Sequence, residues 1–192
     1  MKAQVRSFLL EGGDFESTAL ELYSWQRENN PEYDRFCGEV TVRAWSEIPA
    51  VPTTLFRDLS LTCFPLDRAQ HVFRTSGTTA GARGAVHVMD TEIYELSARL
   101  HAERCLGSLP QKGLSLAPSA PDSSLGHMCA QFVPGMPNFF SAESGVQVGA
   151  AWQSLAALAS EGEPLFVPGT AFAFADLVDD PGPVVPMPPG TI

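Results

Sequence analysis

No run in the 192 residues approaches the roughly 20 consecutive apolar side chains that a membrane-spanning helix requires, so membrane insertion is not expected. The apolar stretch within MKAQVRSFLLEGGDFES is too short for a secretory signal. Basic residues are scarce: 12 Lys and Arg stand against 22 Asp and Glu, a formal net charge of −10. A surface of that sign repels a polyphosphate backbone, and Arg68, Arg74 and Arg83 form no patch interleaved with aromatics, which excludes nucleic acid as a general partner. A small phosphorylated ligand is not excluded, because a nest of backbone N–H groups acts locally. Cysteine is limited to Cys37, Cys63, Cys105 and Cys129, with no CxxC pair and no Cys/His cluster at metal-ligand spacing. Neither a disulfide framework nor a metal site built from the protein's own side chains is expected, and reduced thiols point to a cytoplasmic protein. Also absent are the Walker-type GxxxxGK[ST], the dinucleotide-binding GxGxxG and the nucleophile elbow GxSxG.

What is present is enough apolar residue, 44% of the chain, to build a sizeable core. Asp14 is placed to cap a helix through FESTALELYSWQREN, which Asn29-Asn30-Pro31 ends. In IPAVPTTLFRDLSL (48–61), Pro52 is placed to open a short helix. From residue 69 the pattern changes to alternation. AQHVFRTS (69–76) and GAVHVM (84–89) read as short buried strands flanking a glycine-rich loop, and Asp90 caps a helix through TEIYELSARLHAERCL with Ile93, Leu96 and Leu100 on one stripe. GLSLAPS (113–119) reads as a strand, SSLGHMCAQFV (123–133) and AAWQSLAALASEG (150–162) as helices, and PLFVPGTAFAFADLVDD as strand, turn and helix. Strands alternating with helices of this length predict an α/β fold with a mostly parallel sheet and flanking helices, its ligand loops gathered where the strands end. The expected organisation is a mainly helical segment over 1–68, an α/β core over 69–180 and a Pro-rich connection over 181–192. PGPVVPMPPGTI, with five prolines between 181 and 189, is expected to lead into a further C-terminal portion.

The loop itself reads FRTSGTTAGARG over 73–84. Small residues let the backbone approach a ligand, consecutive amides can point at anionic oxygens, and Ser76, Thr78 and Thr79 add hydroxyl donors without bulk. Arg83 supplies a fixed positive charge. Chemistry alone leaves two readings open, a phosphate cradle and an ordinary surface loop.

TSGTTAGAR (75–83) resembles the phosphate-binding signature of the adenylate-forming superfamily, the acyl-CoA synthetases and their relatives, written [ST]-S-G-[ST]-T-G-x-P-K. Thr75, Ser76, Gly77, Thr78 and Thr79 match in order. Ala80 stands where glycine is usual, Ala82 where proline is usual, and Arg83 where lysine is usual. Together with IPAVPTTLFRDLSL, LSLAPSAPDSSLGHM and GTAFAFADLV, the blocks over 48–178 resemble the acyl-protein synthetase family of bacterial bioluminescence systems. The resemblance implies the N-terminal part of an adenylate-forming fold, in an enzyme that uses ATP and Mg²⁺ to activate a carboxylic acid, a fatty acid in this family. The acyl group then passes to a thiol acceptor (a protein cysteine, a carrier protein or CoA), with an acyl reductase as partner. It further implies that this chain is one portion of a longer enzyme and inactive by itself.

The site residues follow from the same likeness. Ser76, Thr78 and Thr79 would contact the β- and γ-phosphates beside Thr75, Gly77 and Gly81 would permit close backbone approach, and Arg83 would stabilise departing pyrophosphate. His127 would orient the carboxylate or gate the acyl site; its plainer reading is a helix histidine satisfied by a backbone carbonyl. Gly169 and Thr170 would line the nucleotide or acyl pocket, against the alternative of tight strand–helix packing. Ser123 and Ser124 read as N-caps, Cys129 as core rather than acyl acceptor, and Phe172 and Phe174 as core rather than acyl-chain wall. The functional alternative is a non-catalytic nucleotide- or acyl-binding domain that docks a partner, with Ala80 marking lost activity.

Overall fold

A computed structural model of the chain describes all residues except 76–82, 119–120, 142 and 181. The chain divides into two compact units, Met1–Ser97 and Ala98–Ile192, with the division falling inside one helix. No helix among the described residues is long and apolar enough to cross a membrane.

The first unit opens with α1 (Lys2–Glu11) and α2 (Phe15–Asn29), separated by Gly12 and Gly13 at positive φ. The Asp14 carboxylate accepts from the Glu16 N–H at 3.1 Å, as its N-cap position predicts. Asn30 then serves both ends of a junction. Its own N–H donates to the Gln26 carbonyl, and its side chain accepts from Tyr33 N–H at 3.1 Å to start α3 (Pro31–Cys37), with Pro31 in the first turn where no donor is needed. Tyr23, Tyr33 and Cys37 form this unit's core with Val42, Ile48 and Val51. The two tyrosine rings meet edge to face at 6.2 Å, and the Tyr33 hydroxyl donates to the Pro49 carbonyl at 3.0 Å. Short 3-10 turns follow at Trp45–Glu47, Thr53–Arg57 and Leu66–Arg68, the second opened by Pro52 as expected.

Strands β1 (His71–Arg74) and β2 (Ala85–Val88) occupy the two predicted segments, but they pair antiparallel, with His71 opposite Val88 and Arg74 opposite Ala85. This corrects the expectation that they join a parallel sheet. Only ten residues connect them, and a parallel return needs a dozen or more. Helix α4 (Glu92–Leu106) begins after Asp90, whose carboxylate accepts from Glu92 N–H at 3.2 Å. Lys2 of α1 lies 2.8 Å from both Asp90 and Glu92, and this ammonium holds the Asp90 carboxyl below its usual range.

The second unit contains β3 (Lys112–Gly113), α5 (Ser124–Phe132), β4 (Phe140–Ser141), β5 (Gly145–Val146), α6 (Val148–Ala159), β6 (Leu165–Phe166) and α7 (Ala171–Asp179). β4 and β5 form an antiparallel hairpin, whereas β3 and β6 run parallel. Single parallel bridges, Ser115 to Asn138 and Leu116 to Gly169, extend that pairing to both sides and beyond the assigned strands. Ile192 donates to the Leu165 carbonyl at 2.9 Å and accepts from Val167 N–H at 2.8 Å, the spacing of a further parallel neighbour. The parallel segments therefore lie in the spatial order 137–139, 112–117, 165–169, 191–192, and a helix occupies each connection between sequence neighbours. The fold is α/β, and among the described residues the parallel pairing occurs in short pieces of this unit.

Leu114, Leu116 and Leu165 are fully buried in one cluster with Ala151 and Leu155 of α6 and Ala173 and Leu177 of α7. A Cβ on Gly113 would stand 1.8 Å from the Phe166 carbonyl oxygen, so only glycine allows β3 and β6 this approach. One expectation about the core fails: Phe172 is 85% exposed and Phe174 37% exposed. Helix α7 is apolar on nearly every side, and its small Ala173, not the phenylalanines, faces the sheet because the packed leucines leave no space for a ring.

Candidate functional site: the neck of the glycine-rich loop and the edge of the parallel segments

The β1–β2 ladder does not stop at Arg74 and Ala85. Thr75 N–H donates to the Gly84 carbonyl at 3.0 Å, and Gly84 N–H donates back to the Thr75 hydroxyl oxygen at 3.0 Å. Arg83 closes the same neck from outside: its Nε donates to the Thr75 carbonyl at 2.8 Å and Nη2 reaches the Arg74 carbonyl at 3.4 Å. Gly84 is buried, and a Cβ there would meet the Phe56 carbonyl carbon and oxygen and Thr75 Cγ2, each at 3.3 Å. The 3-10 turn Thr53–Arg57 thus braces the back of the neck. Its geometry follows from Pro52, whose carbonyl accepts from Leu55 N–H at 3.0 Å. On the strand below, Phe73 is buried against the Tyr94 ring of α4 at 6.0 Å.

Of the residues expected to bind phosphate, Thr75 is at this neck. Ser76, Gly77, Thr78, Thr79 and Gly81 lie outside the described residues, as does Ala80. Arg83 is at the loop's mouth, exposed, with its guanidinium on main-chain carbonyls. One further group stands close in sequence. His87 Nδ1, on β2, is buried with no hydrogen-bond partner among the described residues.

His127, Gly169 and Thr170 belong to the second unit. Because 112–117 and 165–169 run parallel, α5 and α7 both start from the same edge, where the chain's connections diverge to opposite sides: the segment after 112–117 goes to one neighbour, that of 165–169 to the other. Such a switch point is where open α/β sheets place ligands. Each helix start is capped by the hydroxyl that precedes it. Ser123 accepts from Gly126 N–H at 3.0 Å, as expected of it, and Thr170 accepts from Ala173 N–H at 3.2 Å. Gly169 packs tightly, since a Cβ there would lie 3.0 Å from both Leu116 Cβ and Phe174 Cε2. His127, half-buried at the end of the first turn of α5, donates its backbone N–H to the Ser123 carbonyl at 3.0 Å. Cys129, two residues further along, is buried, and desolvation pushes its thiol up to about 11, which suits a core residue and not a nucleophile.

Sequence reasoning missed Asn138. Its Nδ2 donates to the Ala117 carbonyl at 2.9 Å and reaches Ser115 Oγ at 3.4 Å, while its Oδ1 accepts from Phe140 N–H at 2.8 Å. This carboxamide stitches the end of segment 112–117 to its neighbour. The only signal was a polar residue between Pro137 and Phe139. No family model, no curated protein and no solved structure matches the chain.

Proposed function

We propose that this chain carries the ATP-phosphate loop of an enzyme that activates a carboxylic acid, a fatty acid by the family likeness, as an acyl-adenylate and passes the acyl group to a thiol. The observation that supports the reading is the neck. The hydroxyl- and glycine-rich run 76–82 leaves and re-enters the fold between Thr75 and Gly84, whose main chains are hydrogen-bonded at 3.0 Å and braced by Phe56. A loop that donates hydroxyl and amide hydrogens from a fixed base meets the requirement of phosphoryl chemistry, which needs charge stabilisation and positioning more than covalent help.

In this reading the substrate carboxylate oxygen forms a bond to the α-phosphorus of ATP as the bond to the bridging oxygen breaks, and pyrophosphate departs with that electron pair. Ser76, Thr78 and Thr79 donate to the β- and γ-phosphate oxygens. Gly77 and Gly81 let the backbone approach them, and Arg83 adds positive charge at the mouth. The donor set fits an anion. It contains no carboxylate, and no group of three or more His, Cys, Asp or Glu able to hold a metal occurs among the described residues. Mg²⁺ would therefore arrive on the nucleotide's own phosphates, where it neutralises charge. His127, Gly169 and Thr170 would serve the acid's side of the reaction. The parallel segments with helical connections in the second unit agree with the finer assignment to the N-terminal part of an adenylate-forming fold. The cytoplasmic location, the thiol acceptor and the acyl reductase partner rest on the family likeness alone.

The test is fatty-acid-dependent ATP–pyrophosphate exchange by the protein that carries these residues. Thr78→Ala with Thr79→Ala should lower exchange about 100-fold, the scale for lost oxyanion-type donors, while the urea midpoint stays unchanged. Exchange at the unmodified rate overturns the assignment of this loop.

A further inference from the structure

Helix α7 presents an anomaly that the proposed chemistry does not use. At 100° per residue, Ala173 and Leu177, the two side chains buried on the sheet at 1% and 4% exposure, leave the opposite side of the helix centred on Ala175. That outward side carries Ala171, Phe172, Ala175, Val178 and Asp179, all exposed, with Phe172 at 85% and Val178 at 70%. A helix apolar on both faces is normally covered on both.

The ends of the helix say what kind of cover fits. There is no acidic residue in the first turn and no basic residue in the last. Asp176, Asp179 and Asp180 instead cluster toward the C-terminal end, where the helix macrodipole is already negative, and none is ion-paired among the described residues. At the other end the Thr170 hydroxyl takes the Ala173 N–H, and among the described residues no acidic side chain meets the positive pole around Ala171.

We propose that the outward face of α7 is a self-association surface, on which a second copy of this chain packs with its α7 antiparallel about a twofold axis beside Ala175. The helix is complementary to itself in that orientation and in no parallel one. Ala175 meets Ala175 of the second copy, and its small side chain permits close approach. Phe172 and Val178 lie three residues to either side, so the large ring of each copy falls level with the smaller Val178 of the other. Asp179, four residues from Ala175, falls level with Ala171 of the second copy, which places an unpaired carboxylate at a positive helix end. The contact is isologous and closes on itself as a dimer. The net charge of −10 on each copy opposes it only weakly at physiological salt, where charges more than about 8 Å apart are largely screened.

Sedimentation velocity and disulfide trapping test this in a Cys105→Ser background, which removes the exposed native thiol and leaves Cys37 and Cys129 buried and Cys63 half-buried. The protein should form a concentration-dependent dimer below about 0.1 mM, a hundredfold above a Kd of about 1 µM. Ala175→Cys should give an intermolecular disulfide on mild oxidation, whereas Gln153→Cys, at an exposed position on α6, should give far less. Phe172→Ser should raise the dimer Kd at least tenfold with unchanged circular dichroism, because the ring makes so little contact within one chain. A monomer at 0.1 mM, equal crosslinking from both cysteine positions, or a dimer indifferent to Phe172→Ser would each overturn the proposal. A monomer that binds a Leu/Lys amphipathic peptide through Phe172 would do so too, by showing a basic segment as the occupant.

Discussion

Replacing Thr75 by valine removes one oxygen from the neck of the glycine-rich loop and leaves its shape nearly intact. The oxygen accepts from Gly84 N–H at 3.0 Å, and Gly84 is buried with the Phe56 carbonyl pressed against it. Because Gly84 is buried, Thr75→Val leaves this donor without its partner, at about 1–3 kcal/mol. With a urea dependence of about 1–3 kcal/mol per molar for a small domain, the unfolding midpoint should fall by about 1 M. Thr75→Ser supplies the control, because it keeps the oxygen and loses one methyl group, about 0.8 kcal/mol. Valine must therefore be the more damaging change although it is the closer in shape. Amide exchange locates the effect: Gly84 should exchange about 5- to 100-fold faster in Thr75→Val if it opens locally, at tenfold per 1.4 kcal/mol. Should serine and valine destabilise equally, or Gly84 exchange at the unmodified rate in Thr75→Val, the hydroxyl does not hold the neck and the argument for a fixed loop base collapses.

Other consequences can be measured with similar means. Gly113→Ala forces a methyl group to within 1.8 Å of the Phe166 carbonyl oxygen, so unfolding should show a loss of about 3 kcal/mol or more, and a loss under about 0.5 kcal/mol would show that the two strands do not approach so closely. The Cys129 thiol, raised by burial from 9.0 to about 11, stays protonated in the folded chain where the unfolded chain has lost its proton. Its contribution is thus complete below pH 9 and lost as the pH rises to 11, by no more than about 2.7 kcal/mol; Cys129→Ala should flatten that part of the pH–stability curve. His87→Leu removes a buried ring nitrogen that has no partner among the described residues, and thermal unfolding should find the variant equal to wild type or about 1 kcal/mol more stable. A large loss would mean that Nδ1 is used after all.

What could be read from the sequence was local, and what escaped it was not. The starts of α2, α4 and α5 were legible because Asp14, Asp90 and Ser123 bond to amides two or three residues ahead, within the reach of a pattern. Helix α1 was not, since it has no side-chain cap and is held by Lys2 and Arg6 pairing with Asp90 and Glu92 some 86 to 90 positions away. Alternation found β1 and β2 but is silent on the direction of pairing; only the shortness of the connection decides it. In α7 the pattern is apolar all round, so nothing in it says which side meets the sheet, and Phe172 was assigned to the wrong face. At the candidate site, the hydroxyls and glycines were visible as a run. The neck at the base of that run depends on Phe56 and Gly84, 28 residues apart, and the Asn138 stitch on partners 21 and 23 residues away.

The double duty of Asn30 has a consequence for how the first unit opens. Because one residue both ends α2 and starts α3, neither the last turn of α2 nor the first of α3 can fray without releasing the other's hydrogen bond. The Tyr33 hydroxyl then carries the connection to Pro49, and the chain from there leads to Phe56, whose carbonyl lies against Gly84. The helical junction and the loop base are thereby joined in series as one cooperative opening unit. A slow rearrangement begun at Asn30 would arrive at Gly84 as a loosened back wall, and the Thr75–Gly84 hydrogen bonds would then share a time constant with the α2–α3 junction.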